Sequence, residues 1–250
     1  MIDRTDRDGV AVLQLAHGKA NTLDTELSRA LKLALDQAVD ADAVVLTGTG
    51  SIFSAGVDLK RLVEGGVDYV RSFLPALSAC FDRLFRFPRP VVAAVNGHAI
   101  AGGCVLAAAC DRKLMAAGDG RIGVPELLVG VPFPAIALET VRLAVPPEHL
   151  QAVVYGGKAY RPDEARTVGL VDEVVAADRM LATAIDAAST YARIPPQAFA
   201  LTKRQIRSVA TDAVARARER DDEIAAYWQS EGGLETVRRY VERTLDKGRV

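Results

Sequence analysis

The chain of 250 residues is poor in the side chains that build metal centres and covalent frameworks: three cysteines, three histidines and one tryptophan. Cys80, Cys104 and Cys110 lie in apolar surroundings and no two make a Cys-x-x-Cys pair. Neither a disulfide scaffold nor a structural zinc site is therefore expected, and no metal ligands are assigned. An excess of charge of one sign is also missing. The 31 Lys and Arg nearly cancel the 32 Asp and Glu, leaving a net charge of −1. That balance offers no footprint for nucleic acid and no broad basic face for a membrane. The opening MIDRTDRDG lacks the apolar core of a secretory signal, which together with reduced thiols points to a cytoplasmic setting. Neither GxxxxGK[ST] nor GxGxxG occurs, so no nucleotide phosphate loop is expected. No internal repeat or low-complexity segment is visible.

What is present is an ordinary globular composition, 50% apolar and 25% charged, in a chain long enough to bury a sizeable core. One stretch, residues 91–110, carries no formally charged residue and is long enough to span a bilayer. However, Asn96-Gly97-His98 and Gly102-Gly103 interrupt it. So polar a break is expensive in hydrocarbon, and a buried strand, a turn and a buried helix account for the run better.

Residues 10–15 and the short apolar runs at 43–47 and 91–95 read as strands, 112–116 reads as a further buried strand, and 171–175 as a later one. Asn21, Thr22 and Asp24 are capping candidates for a helix with Leu27, Ala30, Leu31, Ala34, Leu35 and Ala38 on one face. The alternation marks an α/β chain. After about residue 177 only helical periodicity remains. Ile194-Pro195-Pro196 separates two helices and Gly232-Gly233 breaks the charged tail. That tail is either a set of solvated amphipathic helices or a subunit contact.

Two glycine-containing turns carry the chemistry: Phe53-Ser54-Ala55-Gly56-Val57-Asp58-Leu59-Lys60, and Asn96 through Gly103 to Cys104. Each follows a buried strand and leads toward a helix. Such junctions leave backbone N–H groups unpaired at a site that favours negative charge, and Gly102 and Gly103 let a ligand approach the backbone closely. Taken singly, a Gly-Gly before an Ala-rich helix is more often a device for tight helix packing.

Together the two turns resemble the crotonase (enoyl-CoA hydratase/isomerase) superfamily. The match is FSAGVDLK followed by Val95-Asn96-Gly97-His98-Ala99-Ile100-Ala101-Gly102-Gly103 and Cys110-Asp111. The KANTL turn near residue 19, Pro125-Glu126-Leu127 and the GKAYRPDEARTVGLVDEVV stretch at 157–175 follow in the family's order. The resemblance covers about residues 10–210. It implies a crotonase-like (ββα) spiral over residues 1–193 that binds acyl-CoA. A C-terminal helical region, 194–250, would then provide contacts in a homotrimer or homohexamer. It also implies an acyl-CoA thioester substrate, coenzyme A being part of that substrate rather than a separate cofactor. An enolate oxygen would be held by two backbone N–H groups, which by position are those of Ala55 and Gly102. Preorganised amides of this kind are worth roughly 3–4 kcal/mol each in other oxyanion holes. By the same resemblance Lys19, Ala20, Gly56, Val57, Asp58, Leu59, Val105, Phe133 and Lys203 line the acyl-CoA path, with Lys203 near the phosphates. Each has a plainer role to set beside this, such as turn capping for Asp58 and a solvated side chain for Lys19. His98 and Asp111 read as structural.

The hole alone does not name the reaction. Family hydratases activate water with two glutamates. Here Val105 stands at the first of those positions and Glu126 at the second, and an apolar Val131-Pro132-Phe133-Pro134 replaces a glycine-rich segment. This pattern resembles the single-glutamate delta-3,delta-2-enoyl-CoA isomerases. Glu126 would move a proton from the α to the γ carbon of a 3-enoyl-CoA, with Val105, Leu127 and Phe133 excluding water and raising its pKa. Enoyl-CoA hydration, thioester hydrolysis and non-catalytic acyl-CoA binding are the alternatives. Glu64 and Glu139 are the carboxylates that could enter the site from another direction.

Overall fold

In the computed structural model, which describes residues 1–244, the chain winds through repeated strand-strand-helix turns. Residues 245–250, the end of the expected C-terminal region, lie outside the described residues. After β1 (Ile2–Arg7), β2 (Val10–Leu15) and α1 (Thr25–Gln37), each turn contributes a longer strand, a short strand and a helix. The first comprises β3 (Ala43–Thr47), β4 (Ile52–Ser54) and α2 (Leu59–Phe85). The second comprises β5 (Val91–Val95), β6 (His98–Ile100) and α3 (Gly102–Ala108). The third comprises β7 (Arg112–Ala116), β8 (Ile122–Gly123) and α4 (Glu126–Val129). Helices α5 (Ala135–Ala144), α6 (Pro147–Gly156) and α7 (Pro162–Thr167), strand β9 (Glu173–Val175) and helix α8 (Met180–Ala192) follow. Three more helices, α9 (Pro196–Arg216), α10 (Arg218–Gln229) and α11 (Glu231–Thr244), complete the described chain.

The longer strands form one six-stranded sheet in the order β1-β2-β3-β5-β7-β9, parallel except for β1. The short ones form a separate parallel sheet, β4-β6-β8. β3 and β5 are buried at every residue because both faces of the large sheet are covered. Val44 and Leu46 face the main core, while Ala43 and Val45 face α8 through Met180, Ala184 and Ala188. The run at 91–110 therefore divides into β5, β6 and α3, and no described helix is long and apolar enough to cross a membrane.

α1 starts where expected: the Asp24 carboxylate accepts from Leu27 N–H at 2.7 Å, and Leu27, Leu31, Ala34 and Leu35 are buried. β1 was not foreseen, and α2 was expected only as a helix following the first turn, without its extent. β1 is a charged, exposed edge strand without an apolar pattern. α2 is broken at Gly66 (φ 58°) and contains Pro75, which hide its periodicity. Asp58 takes the capping role, accepting from Arg61 N–H at 3.0 Å.

The tail also differs in detail. Its break falls at the extended Ser230, between α10 and α11, and Gly232-Gly233 lie inside the first turn of α11. Trp228, Val237 and Val241 from these two helices join the main hydrophobic core. The region expected to make subunit contacts thus packs in part on its own chain.

Candidate active site

The small sheet sets the site. β4 and β6 lie side by side and parallel, so the turns leaving them meet. Gly56 (φ 82°) permits that meeting: a Cβ there would stand 2.5 Å from the carbonyl oxygen of Ile100 and 3.2 Å from the amide nitrogen of Gly102. Ala101, at the N-cap of α3, has φ 52° and ψ −123°, a conformation strained for a residue with a side chain.

The backbone donors on the first turn are distributed differently from the expectation. Ala55 N–H is spent on the carbonyl of Ala20, at 2.9 Å. Leu23 N–H donates to the carbonyl of Gly56 at 2.7 Å, and Asp58 N–H donates to the carbonyl of Leu23 at 3.0 Å. In a parallel bridge of this kind Val57 points its own N–H the other way, away from Leu23. Among the described residues neither Val57 N–H nor Gly102 N–H has a hydrogen-bond partner. The amide pair left free is therefore Val57 and Gly102, and Ala55 is corrected to a structural donor. Ladder direction decides this, and residue type gives no sign of it.

Beside the turns lies a cavity of about 380 Å³. Ala20, Thr22, Ala55, Val57, Asp58, Leu59 and Lys60 line it from the first turn and its surroundings. Ile100, Ala101, Pro125, Glu126, Val129, Val131, Trp228 and Tyr240 complete it. Gly102 stands directly behind Ala101. Glu126 is the first residue of the four-residue α4, which follows β8. The residue as a whole is half-buried, yet its Oε2 is cut off from solvent and has no hydrogen-bond partner among the described residues. Burial pushes its carboxyl up to about 8.

Several expected residues lie elsewhere. Val105 is buried in the core, and Leu127 and Phe133 line an outer groove. The apolar walls around Glu126 are instead Val129, Val131, Ile100 and Trp228. Lys19 is exposed and does not line the cavity. Lys203 is buried in a different place, where its ammonium donates to Asp111 at 2.6 Å and to the carbonyl of Arg89 at 3.2 Å. Arg207 donates to the other oxygen of Asp111 at 2.8 Å, and Val91 N–H also reaches that carboxylate. These contacts tie α9 to the end of α3, and Lys203 does not line the cavity. Glu139 pairs with Arg142 and Glu64 is exposed, and neither lines the cavity. The sequence reading missed Trp228 and Tyr240, which arrive from helices far along the chain.

Two free main-chain amides and a buried, proton-holding carboxylate beside an apolar cavity define a cleft that can polarise a carbonyl and move a proton. Residues 5–247 match the model of the enoyl-CoA hydratase/isomerase family, and the chain belongs to that family. It is 33% identical over 190 residues to a probable enoyl-CoA hydratase of Rhizobium meliloti, covering 74% of this chain and 72% of the relative. Among solved structures it resembles the probable enoyl-CoA hydratase EchA3 of Mycobacterium tuberculosis H37Rv. That pair shows TM-score 0.81, 33% identity, and 90% and 94% coverage of the two chains. It also resembles the human mitochondrial delta3-delta2-enoyl-CoA isomerase, with TM-score 0.93, 25% identity, and 100% and 99% coverage. Chains with hydratase and isomerase names thus share this architecture, the crotonase-like (ββα) spiral.

Proposed function

We propose that this enzyme isomerises the double bond of a 3-enoyl-CoA, using Glu126 as its single acid and base. The observation that carries this reading is the isolation of Glu126 Oε2, a buried carboxylate oxygen in the cavity without a hydrogen-bond partner, while Asp58, the other acidic residue there, is committed to capping α2. Ionised Glu126 takes a proton from the α carbon, and the electron pair left there delocalises onto the adjacent thioester oxygen while conjugating with C3=C4, which gives a dienolate. The N–H groups of Val57 and Gly102 hold that oxygen. The same carboxyl returns the proton to the γ carbon as the pair relocates to C2=C3, so the base ends as it began. One group can serve both carbons because they are only about two bonds apart. The apolar wall disfavours water as a competing partner for the dienolate. Lys60, Asp58 and Thr22 supply the polar lining that suits the coenzyme A end.

Hydration is the second reading, favoured by the relatives with hydratase names. It needs a second group to position water, and Val105 stands where the motif would place it. Incubation with a 3-enoyl-CoA and, separately, a 2-enoyl-CoA distinguishes the two. Conjugated 2-enoyl product from the first substrate is expected; rapid formation of 3-hydroxyacyl-CoA from the second overturns the single-glutamate mechanism. Binding without turnover of either substrate would make the chain a non-catalytic acyl-CoA binder. We also infer, from the family resemblance alone, a cytoplasmic homotrimer or homohexamer.

A further inference from the structure

Thr22, Asp58 and Lys60, from the approach to α1 and the start of α2, give one end of the cavity lining polar groups, although Val57, Leu59 and Ile100 are apolar members from the first two turns. Apart from Glu126, the lining from α4, the loop after it and the last two helices is bulky and largely apolar: Val129, Val131, Trp228 and Tyr240. Trp228 is 3% exposed, and its indole N–H donates to the carbonyl of Pro132 at 2.9 Å. A buried indole that satisfies its one polar atom in this way is held in place by both packing and direction.

On the other side of this wall lie two apolar grooves, of about 480 and 640 Å³, which share Leu127, Pro132 and Ile224. Val131 lines both the catalytic cavity and the nearer groove. Pro132 lines both grooves, and Tyr227, the neighbour of Trp228, lines the nearer one. The cavity and the nearer groove therefore share Val131 as a wall residue, and the Trp228–Pro132 bond links the cavity lining to a residue of both grooves.

We propose that Trp228 is the residue that sets the upper length of the acyl chain. This rests on the acyl-thioester reading above. The chain runs from the thioester past Glu126 and Val129 and stops against the indole. Removing the indole joins the cavity to the outer grooves and lets longer chains enter. The selectivity device thus belongs to the C-terminal helices, while the proton chemistry belongs to the spiral.

The test uses dissociation constants of the full-length protein for coenzyme A and for saturated acyl-CoA thioesters of increasing length, read by calorimetry. It needs no turnover, so it is independent of which reaction the enzyme performs. In the wild type, affinity should rise about fourfold per added methylene and then level off abruptly, in line with the usual gain on burying a CH₂. In Trp228→Ala the rise should continue over several further methylenes. Val131→Ala, which trims the shared wall residue and leaves α10 intact, should shift the plateau in the same direction. A plateau at the same length in all three proteins overturns the proposal and leaves the isomerase reading standing. Failure of every acyl-CoA to bind the wild type overturns both.

Discussion

Ala55 donates its backbone N–H to the carbonyl of Ala20 at 2.9 Å, and this one bond moves the donor role two residues along the chain. The Ala20–Ala55 bond and the two bonds flanking Leu23 hold the turn from both sides. They leave Val57 with an amide that serves no structural purpose.

Proline substitution separates the two amides. Val57→Pro removes the free N–H while Gly56 C=O and Asp58 N–H, which make the bridge to Leu23, remain. Val57 is not in the left-handed region, so the ring demands no reversal of its φ. kcat is expected to fall by roughly 10²–10³-fold with folding largely preserved, the usual cost of an oxyanion donor. Ala55→Pro should instead cost about 1–3 kcal/mol of stability, because it orphans the Ala20 carbonyl. Denaturant titration alongside kinetics reads both. The opposite pattern would restore Ala55 as the donor.

Glu126→Gln keeps the shape of the side chain and removes its proton chemistry. Isomerisation should drop by about 10²–10⁴-fold while acyl-CoA binding is retained. Single-turnover assays and binding titration check the pair.

The pH dependence has a definite direction. Burial raises the Glu126 carboxyl from 4.5 to about 8, and the ionised form is the base. kcat/KM should climb with pH, reach half its maximum near 8 and level off above it. Stability moves the other way. Below 4.5 the group is protonated in both states, and between 4.5 and about 8 the folded protein keeps a proton that the unfolded chain releases. Its contribution to stability is thus lost as pH rises across that window. Relative to Glu126→Gln, the wild type should lose melting temperature from the acid to the alkaline side of it. Parallel melting curves with no divergence would show that the carboxyl is not desolvated.

Asp111 accepts from two buried cations, Lys203 at 2.6 Å and Arg207 at 2.8 Å. Asp111→Ala leaves both unpaired and is expected to cost about 3–5 kcal/mol in urea denaturation. Lys203→Met should cost less, since Arg207 still pairs with the carboxylate. If Lys203→Met instead weakens coenzyme A binding without altering stability, the phosphate role inferred from the motif is reinstated.

Much of this architecture was legible before any coordinates. β3 and β5 announce themselves as continuous apolar runs and β2 as a nearly continuous one because both faces of the sheet are covered, and α1 shows its stripe and its Asp24 cap. Glu126 was found through its motif, and its isolation agrees with the apolar residues around it. The free amide was not legible, since which N–H a strand-like segment leaves unpaired depends on register with Leu23. Nor were Trp228 and Tyr240: a helix with a charged surface gives no local sign that one aromatic reaches a cavity built far upstream. Leu127 misled for the opposite reason. An apolar residue beside the catalytic one looks like a wall, yet on a four-residue helix it points to the outside.

The β4-β6-β8 sheet supplies one working part per coil. The segment leaving β4 holds the Val57 amide, the one leaving β6 holds Gly102, and the one leaving β8 holds Glu126. The three parts sit at the same point of three successive windings, like marks on adjacent threads of a screw. Each can therefore be exchanged without re-cutting the others. On the proposed mechanism, a change in the third coil alters what is done to the bound thioester, while the first two go on gripping its oxygen. New chemistry on this scaffold is most economically sought by editing residues 124–131 alone.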